Sequence, residues 1–204
     1  MSDNKRLLMV FVQNALLGKM KSKLAKEIGE KQAIEIYLTL LNHTHIISNK
    51  PYWDKAVLYS QYIEYNDIWK QSGFFQFVQE GKDKGARMHH AFRLAFNIDY
   101  ERVVLINSDC LELSEEILQN AFKALEANDV VIGPASDGGY YLIGMNKLYP
   151  ELFENKVWGD ENVLTDTILD LRRLNLSYHL LETLTGMEEQ EGVKLFRKNL
   201  SSEQ

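Results

Sequence analysis

Two acids and a group of lysines carry the chemistry this sequence offers. Asp109 ends the run VVLINSD directly after an apolar stretch, so its carboxylate projects from a strand end into any cleft that lies there. A hard oxygen ligand in that position suits Mg²⁺ or Mn²⁺, and such an ion would bridge a nucleotide's phosphates and neutralise charge on a departing diphosphate. The same acid could equally be a turn former. Lys19, Lys21, Lys23 and Lys26 fall where the loop after the apolar run Leu7 to Val12 turns into a helix. The free N–H groups and positive dipole end of that helix would bind an anion, and the lysines would add point charges for a polyphosphate. The plainer alternative is a solvated basic helix face. The spacing is not that of a Walker loop, because GxxxxGK[ST] is absent.

The second acid, Asp137, stands in GPASDGGYYLIG, where four of the chain's twelve glycines lie between Gly133 and Gly144. Gly138 and Gly139 would let the backbone approach a ligand closely, and Asp137 would bond either that ligand or its own backbone. An ordinary hairpin turn uses Asp-Gly as well. Tyr140 and Tyr141 must alternate between faces, one packing and one lining a cleft, and the pattern does not say which. Cys110 reads as a small buried hydrophobe rather than a nucleophile. His89 and His90 are adjacent on a helix and diverge, a poor geometry for chelating one metal. Trp158 would stack on a base or sugar, or anchor a helix. Glu188, Glu189 and Glu191 read as a solvated acidic turn.

The elements that must position these groups alternate in kind. Leu7 to Val12, Ala56 to Ser60, Phe74 to Val78, Arg102 to Ile106, Asp129 to Ile132, Tyr140 to Met145 and Ser177 to Leu181 read as strands. Between them lie helical patterns: Ser22 to His45 broken at Gly29, Gly85 to Phe96 with Met88, Phe92 and Ala95 on one side, Ser114 as N-cap of a helix through Leu125, Glu161 to Leu174, and a last one from Glu191. The stretch from Gln61 to Gly73 has no clear period. Alternation of this kind predicts a three-layer α/β/α sandwich on a mixed, mostly parallel sheet, with ligands beyond the carboxyl ends of the strands.

Composition bounds the partners. With 204 residues the chain fits a single domain over 1–204, and 45% apolar against 25% charged residues excludes a disordered chain. Acids outnumber bases 29 to 23, which argues against a duplex-binding surface and so against nucleic acid as a partner. The imbalance is uneven: Asn4 to Lys26 holds six bases and no acid, whereas residues 27 to 204 hold 17 bases and 28 acids. An acidic globule with one basic mouth suits a small phosphorylated ligand. No apolar run approaches the roughly eighteen residues of a membrane helix, and the first residues do not form a signal peptide. With a lone cysteine, the expectation is a cytoplasmic protein with no membrane partner.

Taken in order, GKMKSKLA, DKGARM, NSDC and GPASDGGYYLIG resemble a bacterial family of uncharacterised, glycosyltransferase-A-like proteins, related to molybdenum-cofactor and 2-phospholactate guanylyltransferases. The resemblance spans nearly the whole chain. It implies a nucleotide-diphosphosugar-transferase fold, Rossmann-like, that binds a nucleotide or nucleotide sugar with Mg²⁺ or Mn²⁺. By position, Gly18, Lys19, Lys21 and Lys23 would hold the phosphates, and Asp109 would bind the metal with Glu188 as a second acid. Asp109 and Asp137 are the catalytic candidates, and Gly138, Gly139 and Tyr140 the substrate-binding ones. The chain departs from the family pattern at Gln13, Ala15, Lys23, Asn107, Leu111 and Gly186. The implied activity is a metal-dependent glycosyl transfer from a nucleotide sugar to a small-molecule acceptor. Two alternatives stand beside it: nucleotidyl transfer from an NTP to a phosphorylated or sugar-like acceptor, and a nucleotide- or partner-binding protein whose catalytic site is eroded.

Overall fold

The computed structural model describes residues 5–14, 25 and 29–185. Gly18, Lys19, Lys21, Lys23, Glu188 and the helix expected from Glu191 lie outside the described residues. The chain runs β1 (Arg6–Val12), α1 (Glu30–Ser48), β2 (Asp54–Tyr59), α2 (Ile68–Gln71), β3 (Phe75–Val78), α3 (Lys84–Asn97) and β4 (Arg102–Asn107). It continues through α4 (Glu115–Ala124), β5 (Val130–Pro134), β6 (Tyr140–Met145), a 3₁₀ turn (Pro150–Phe153), α5 (Val163–Arg173) and β7 (Tyr178–Leu180).

The strands form one seven-stranded sheet in the order β3-β2-β1-β4-β6-β5-β7. β1 lies parallel to both its neighbours, with Val10 beside Val57 on one side and Ile106 on the other. β6 alone among the described strands runs antiparallel to its neighbours, because a tight hairpin joins it to β5. The predicted mixed, mostly parallel sheet is what the chain forms.

The strand period of two splits the core. Along β1, Leu8, Val10 and Val12 enter the layer shared with Ile47 of α1 and with Leu118 and Phe122 of α4. Leu7, Met9 and Phe11 enter the opposite layer, against Met88 and Phe92 of α3 and Leu171 of α5. A strand with helices on both faces must be apolar throughout, which is why LLMVFV reads as a continuous run. The predicted cap holds: Ser114 accepts from the Ile117 N–H at 3.3 Å to start α4. Asp83 does the same for α3, from Ala86 at 2.8 Å. Gly29, at φ 87°, stands at the start of α1 where the helical pattern was expected to break. The unassigned stretch contains the single turn of α2, capped by Asp67. Among the described residues no helix is long and apolar enough to cross a membrane.

From β1 the chain steps outward to β2 and β3, then returns through α3 to lay β4 on the other side of β1. The carboxyl ends of β1 and β4 therefore diverge into a crevice at a topological switch point, where ligands bind in such sheets.

Candidate functional site

A cleft of about 660 Å³ opens at that point. Its walls come from Gln13 after β1, Asp109 after β4, the β5–β6 turn, Lys84 at the first turn of α3, and the segment from Trp158 to Glu161. Asp109 and Asp137, far apart in sequence, are brought to one cleft, and Lys84 joins them.

Asp109 is held by a buried brace. The Tyr37 hydroxyl, from α1, accepts the Gln13 N–H at 2.7 Å and donates to the Gln13 carbonyl at 3.1 Å. Its remaining lone pair faces the buried Ser108 hydroxyl at 3.3 Å. One side chain thus ties the exit of β1 to the residue before Asp109. Burial pushes the Tyr37 hydroxyl up to about 12, so it keeps the proton this arrangement needs. On the other side of β4, the Asn107 amide donates to the Tyr140 carbonyl at 3.3 Å, fixing the β4 end against β6.

The Asp109 carboxyl lies above its ordinary range because burial disfavours its charge. The Lys84 ammonium and the Asp109 backbone N–H oppose that rise, and Asp137 adds to it. A carboxylate held at a cleft floor with incomplete compensation is poised to take a cation. Cys110 beside it is buried, and burial pushes its thiol up to about 12, as expected of a packing residue rather than a nucleophile.

Asp137 is exposed and turns on its own backbone: its Oδ1 accepts the Gly139 N–H at 2.9 Å. Gly138 follows at φ 84°, where a Cβ would overlap the Glu161 carbonyl oxygen. Its own carbonyl accepts the Leu164 N–H at 2.9 Å. The bare Cα that the sequence offered for approach to a ligand is thus occupied by the segment leading into α5. Tyr140 and Tyr141 separate to opposite layers, and both are buried. Tyr140 points its hydroxyl toward the Met88 sulfur at 3.9 Å, and Tyr141 donates to the Glu182 carbonyl at 3.0 Å. Both border the cleft from its floor instead of dividing the two tasks. Trp158 also borders it, half-buried, edge-on to Tyr140 with ring centres 6.5 Å apart. The start of α3 abuts this indole so closely that a Cβ on Gly85 would overlap it. His89 and His90 diverge, toward the Phe153 ring and Glu80 respectively.

Sequence reasoning missed Lys84, Tyr37 and Ser108. Lys84 had a usable signal, since DKG stands between a strand end and a helix, with Asp83 as a cap. Tyr37 had none, because in a helical period it counts only as an apolar residue.

A family model described as uncharacterized proteins conserved in bacteria, DUF2064, matches residues 44–160. The chain belongs to that family. The matched DUF2064 region contains Asp109 and the whole Asp137–Tyr140 turn. Among solved structures, a protein of Desulfovibrio desulfuricans G20, provisionally assigned as a nucleotide-diphospho-sugar transferase, is 30% identical. That match covers 90% of this chain and 82% of the other, with a TM-score of 0.81. The inositol-1-phosphate CTP transferase of T. maritima shares the fold at 13% identity, covering 92% and 91%, with a TM-score of 0.59. The glucosyl-3-phosphoglycerate synthase of Mycobacterium tuberculosis, solved with Mg²⁺ and UDP, also shares it at 13% identity, covering 90% and 70%, with a TM-score of 0.56. No curated protein matches the chain. The DUF2064 chain therefore has the Rossmann-like, GT-A-type fold of nucleotide-diphospho-sugar transferases.

Proposed function

We propose that residues 1–204 form a single GT-A-like domain that binds a nucleotide sugar between the ends of β1 and β4 and transfers its glycosyl group to a small-molecule acceptor. The observation that carries this reading is Asp109, held at the switch point by the Tyr37–Ser108 brace, with its charge disfavoured by burial and Lys84 beside it. The nucleotide ligands in the descriptions of the T. maritima and M. tuberculosis proteins support it.

The donor set suits Mg²⁺ or Mn²⁺ bound jointly with phosphate. Among the described residues no three His, Cys, Asp or Glu side chains gather closely enough to cage an ion. Asp109 would hold it together with phosphate and water oxygens, a common arrangement for Mg²⁺, with Glu188 as the proposed second carboxylate. When bound, the ion supplies positive charge to a departing diphosphate. Lys84 would add its charge beside Asp109, and Gly18, Lys19, Lys21 and Lys23 would hold the phosphates. Asp137, as the second catalytic candidate, would act through the turn it shapes, with Gly139 and Tyr140 on the acceptor side and Gly138, expected there from the sequence, instead docking the turn onto the segment before α5.

The basic segment favours a second reading. The four lysines from Lys19 to Lys26 would suit an NTP undergoing attack at its α-phosphate, whereas Arg6 stands at the far, amino end of β1, paired with Glu126. Released products separate the two: nucleoside diphosphate marks glycosyl transfer and inorganic diphosphate marks nucleotidyl transfer. A thermal-shift panel of nucleotides and nucleotide sugars, with and without Mn²⁺, tests both at once, since a functional site raises Tm by mass action. No shift with any of them at millimolar concentration overturns the transferase reading and leaves the eroded-site alternative.

A further inference from the structure

A second cavity, of about 430 Å³, opens on the α1 side of β1, and Gln13 borders both it and the cleft. Its volume falls within the range of small-molecule sites. Leu38 and Leu41 of α1 face Ile68 and Tyr62 across it. Leu38 is 52% exposed, Tyr62 41% and Ile68 37%, so three large apolar side chains stand open to solvent around one opening.

The charged side chains described around it are both acids. Glu64 and Asp67 line it, and among the described residues no Lys, Arg or His does. Asp67 is engaged, accepting from the Tyr59 hydroxyl at 2.5 Å and from the Lys70 N–H at 3.1 Å. The Glu64 carboxylate makes no hydrogen bond or ion pair among the described residues. Its backbone is nevertheless fixed, because Gln76 donates to the Glu64 carbonyl at 3.1 Å and to the Tyr59 hydroxyl at 2.7 Å. Asn14 clamps the adjoining wall: its Oδ1 accepts from the Gln61 N–H at 3.0 Å and its amide donates to the Tyr62 carbonyl at 3.0 Å. The wall is therefore pre-formed, and it presents one uncommitted acid beside an exposed phenol ring.

We infer that this second cavity binds a small ring-bearing organic cation, an ammonium or guanidinium, with Glu64 taking the charge and Tyr62, Leu38 and Ile68 covering the ring. An aromatic face attracts a cation, and a carboxylate pairs with one, so both features select the same ligand chemistry. A carboxylate ligand would meet the Glu64 carboxylate at this wall, so it should bind more weakly than its cationic counterpart.

Three isosteric probes test it: benzamidinium, benzamide and benzoate, titrated into the full chain by ligand-observed NMR, with amide shifts recorded to locate the contact. Benzamidinium is expected to bind at millimolar concentration, benzamide several-fold more weakly and benzoate not at all, with shifts confined to residues 38–42 and 61–68. Glu64→Gln should bring benzamidinium down to the benzamide level and leave benzamide unchanged. Leu38→Lys, at an exposed position, should weaken benzamidinium and benzamide without altering Tm. Benzoate binding as well as benzamidinium, an unchanged preference in Glu64→Gln, shifts centred on residues 107–110 or 137–140, or no saturation by about 10 mM overturns the assignment. The nucleotide panel run on Glu64→Gln keeps the two sites distinct, because its response should equal that of the unmodified chain whichever way the cation experiment falls.

Discussion

Asp109 and Asp137 stand in one cleft, and their carboxylates are used differently. Asp137 is exposed and its Oδ1 is taken by the Gly139 N–H, so its charge is hydrated and its geometry serves the turn. Asp109 is held where burial disfavours its charge, with Lys84 and its own N–H giving partial compensation. A local hydrogen bond makes an acid structural, whereas desolvation without full pairing leaves it available to a ligand.

The hardest test of the structural half of this contrast is Gly138→Ala. The new Cβ would have to adopt φ 84° and displace the Glu161 carbonyl, costing roughly 3 kcal/mol in urea unfolding. Gly139→Ala should cost much less, since its Cβ would meet the flexible Asp137 Oδ1 at 3.1 Å. Equal losses at the two glycines would break the picture of a turn docked onto the segment before α5.

The brace under Asp109 comes next in size. Tyr37→Phe leaves the Gln13 N–H and the Ser108 hydroxyl without their shared partner, an expected loss of about 1–3 kcal/mol. Ser108→Ala removes one weak bond and should cost about 1 kcal/mol or less. If the brace positions Asp109, both variants weaken the Mn²⁺ dependence of nucleotide binding more than binding without metal. A uniform loss would make Tyr37 a packing residue alone.

Much of this fold was legible because its signals are local. LLMVFV and RVVLI are continuous apolar runs, Ser114 is a cap beside an amphipathic helix, and Gly29 interrupts a helical period. Asp109 was legible by the same logic, as an acid at the end of an apolar strand. What was not legible depends on contacts between distant segments. Nothing near Tyr37 announces that its hydroxyl reaches Gln13 and Ser108. Nothing near Gly138 shows that its Cα lies against Glu161, so its freedom was read as room for a ligand. The tyrosine pair failed for a related reason: alternation fixes that Tyr140 and Tyr141 face opposite ways, but only helices on both faces of the sheet bury them both.

Asp109→Asn is expected to stabilise the protein. The Asp109 pKa is raised on folding, so its contribution is fully present below the unfolded value and is lost as pH rises through the folded one. The neutral amide escapes that loss, so the Tm of the variant should exceed that of the unmodified chain at neutral pH by roughly 2–4 °C, for on the order of 1 kcal/mol. The gap should close on acidification. The same variant should lose the Mn²⁺ dependence of nucleotide binding. A lower Tm at neutral pH would show that Asp109 is structurally paired, removing the contrast with Asp137.

Asp137→Asn should have the smallest effect on stability, because the amide oxygen still accepts the Gly139 N–H; a change within about 0.5 kcal/mol is expected. Asp137→Ala breaks that bond and should cost about 1 kcal/mol. The pair separates shape from charge. If Asp137 acts by shaping the turn, transfer survives in the asparagine variant and falls in the alanine variant together with Tm. If its charge takes part in the reaction, transfer collapses in both while the Tm of the asparagine variant stays put. The asparagine variant also removes the charge that adds to the rise at Asp109, so the midpoint of any pH dependence in Mn²⁺ binding should move downward. An unmoved midpoint would mean that the two acids, though they share a cleft, do not sense each other's charge.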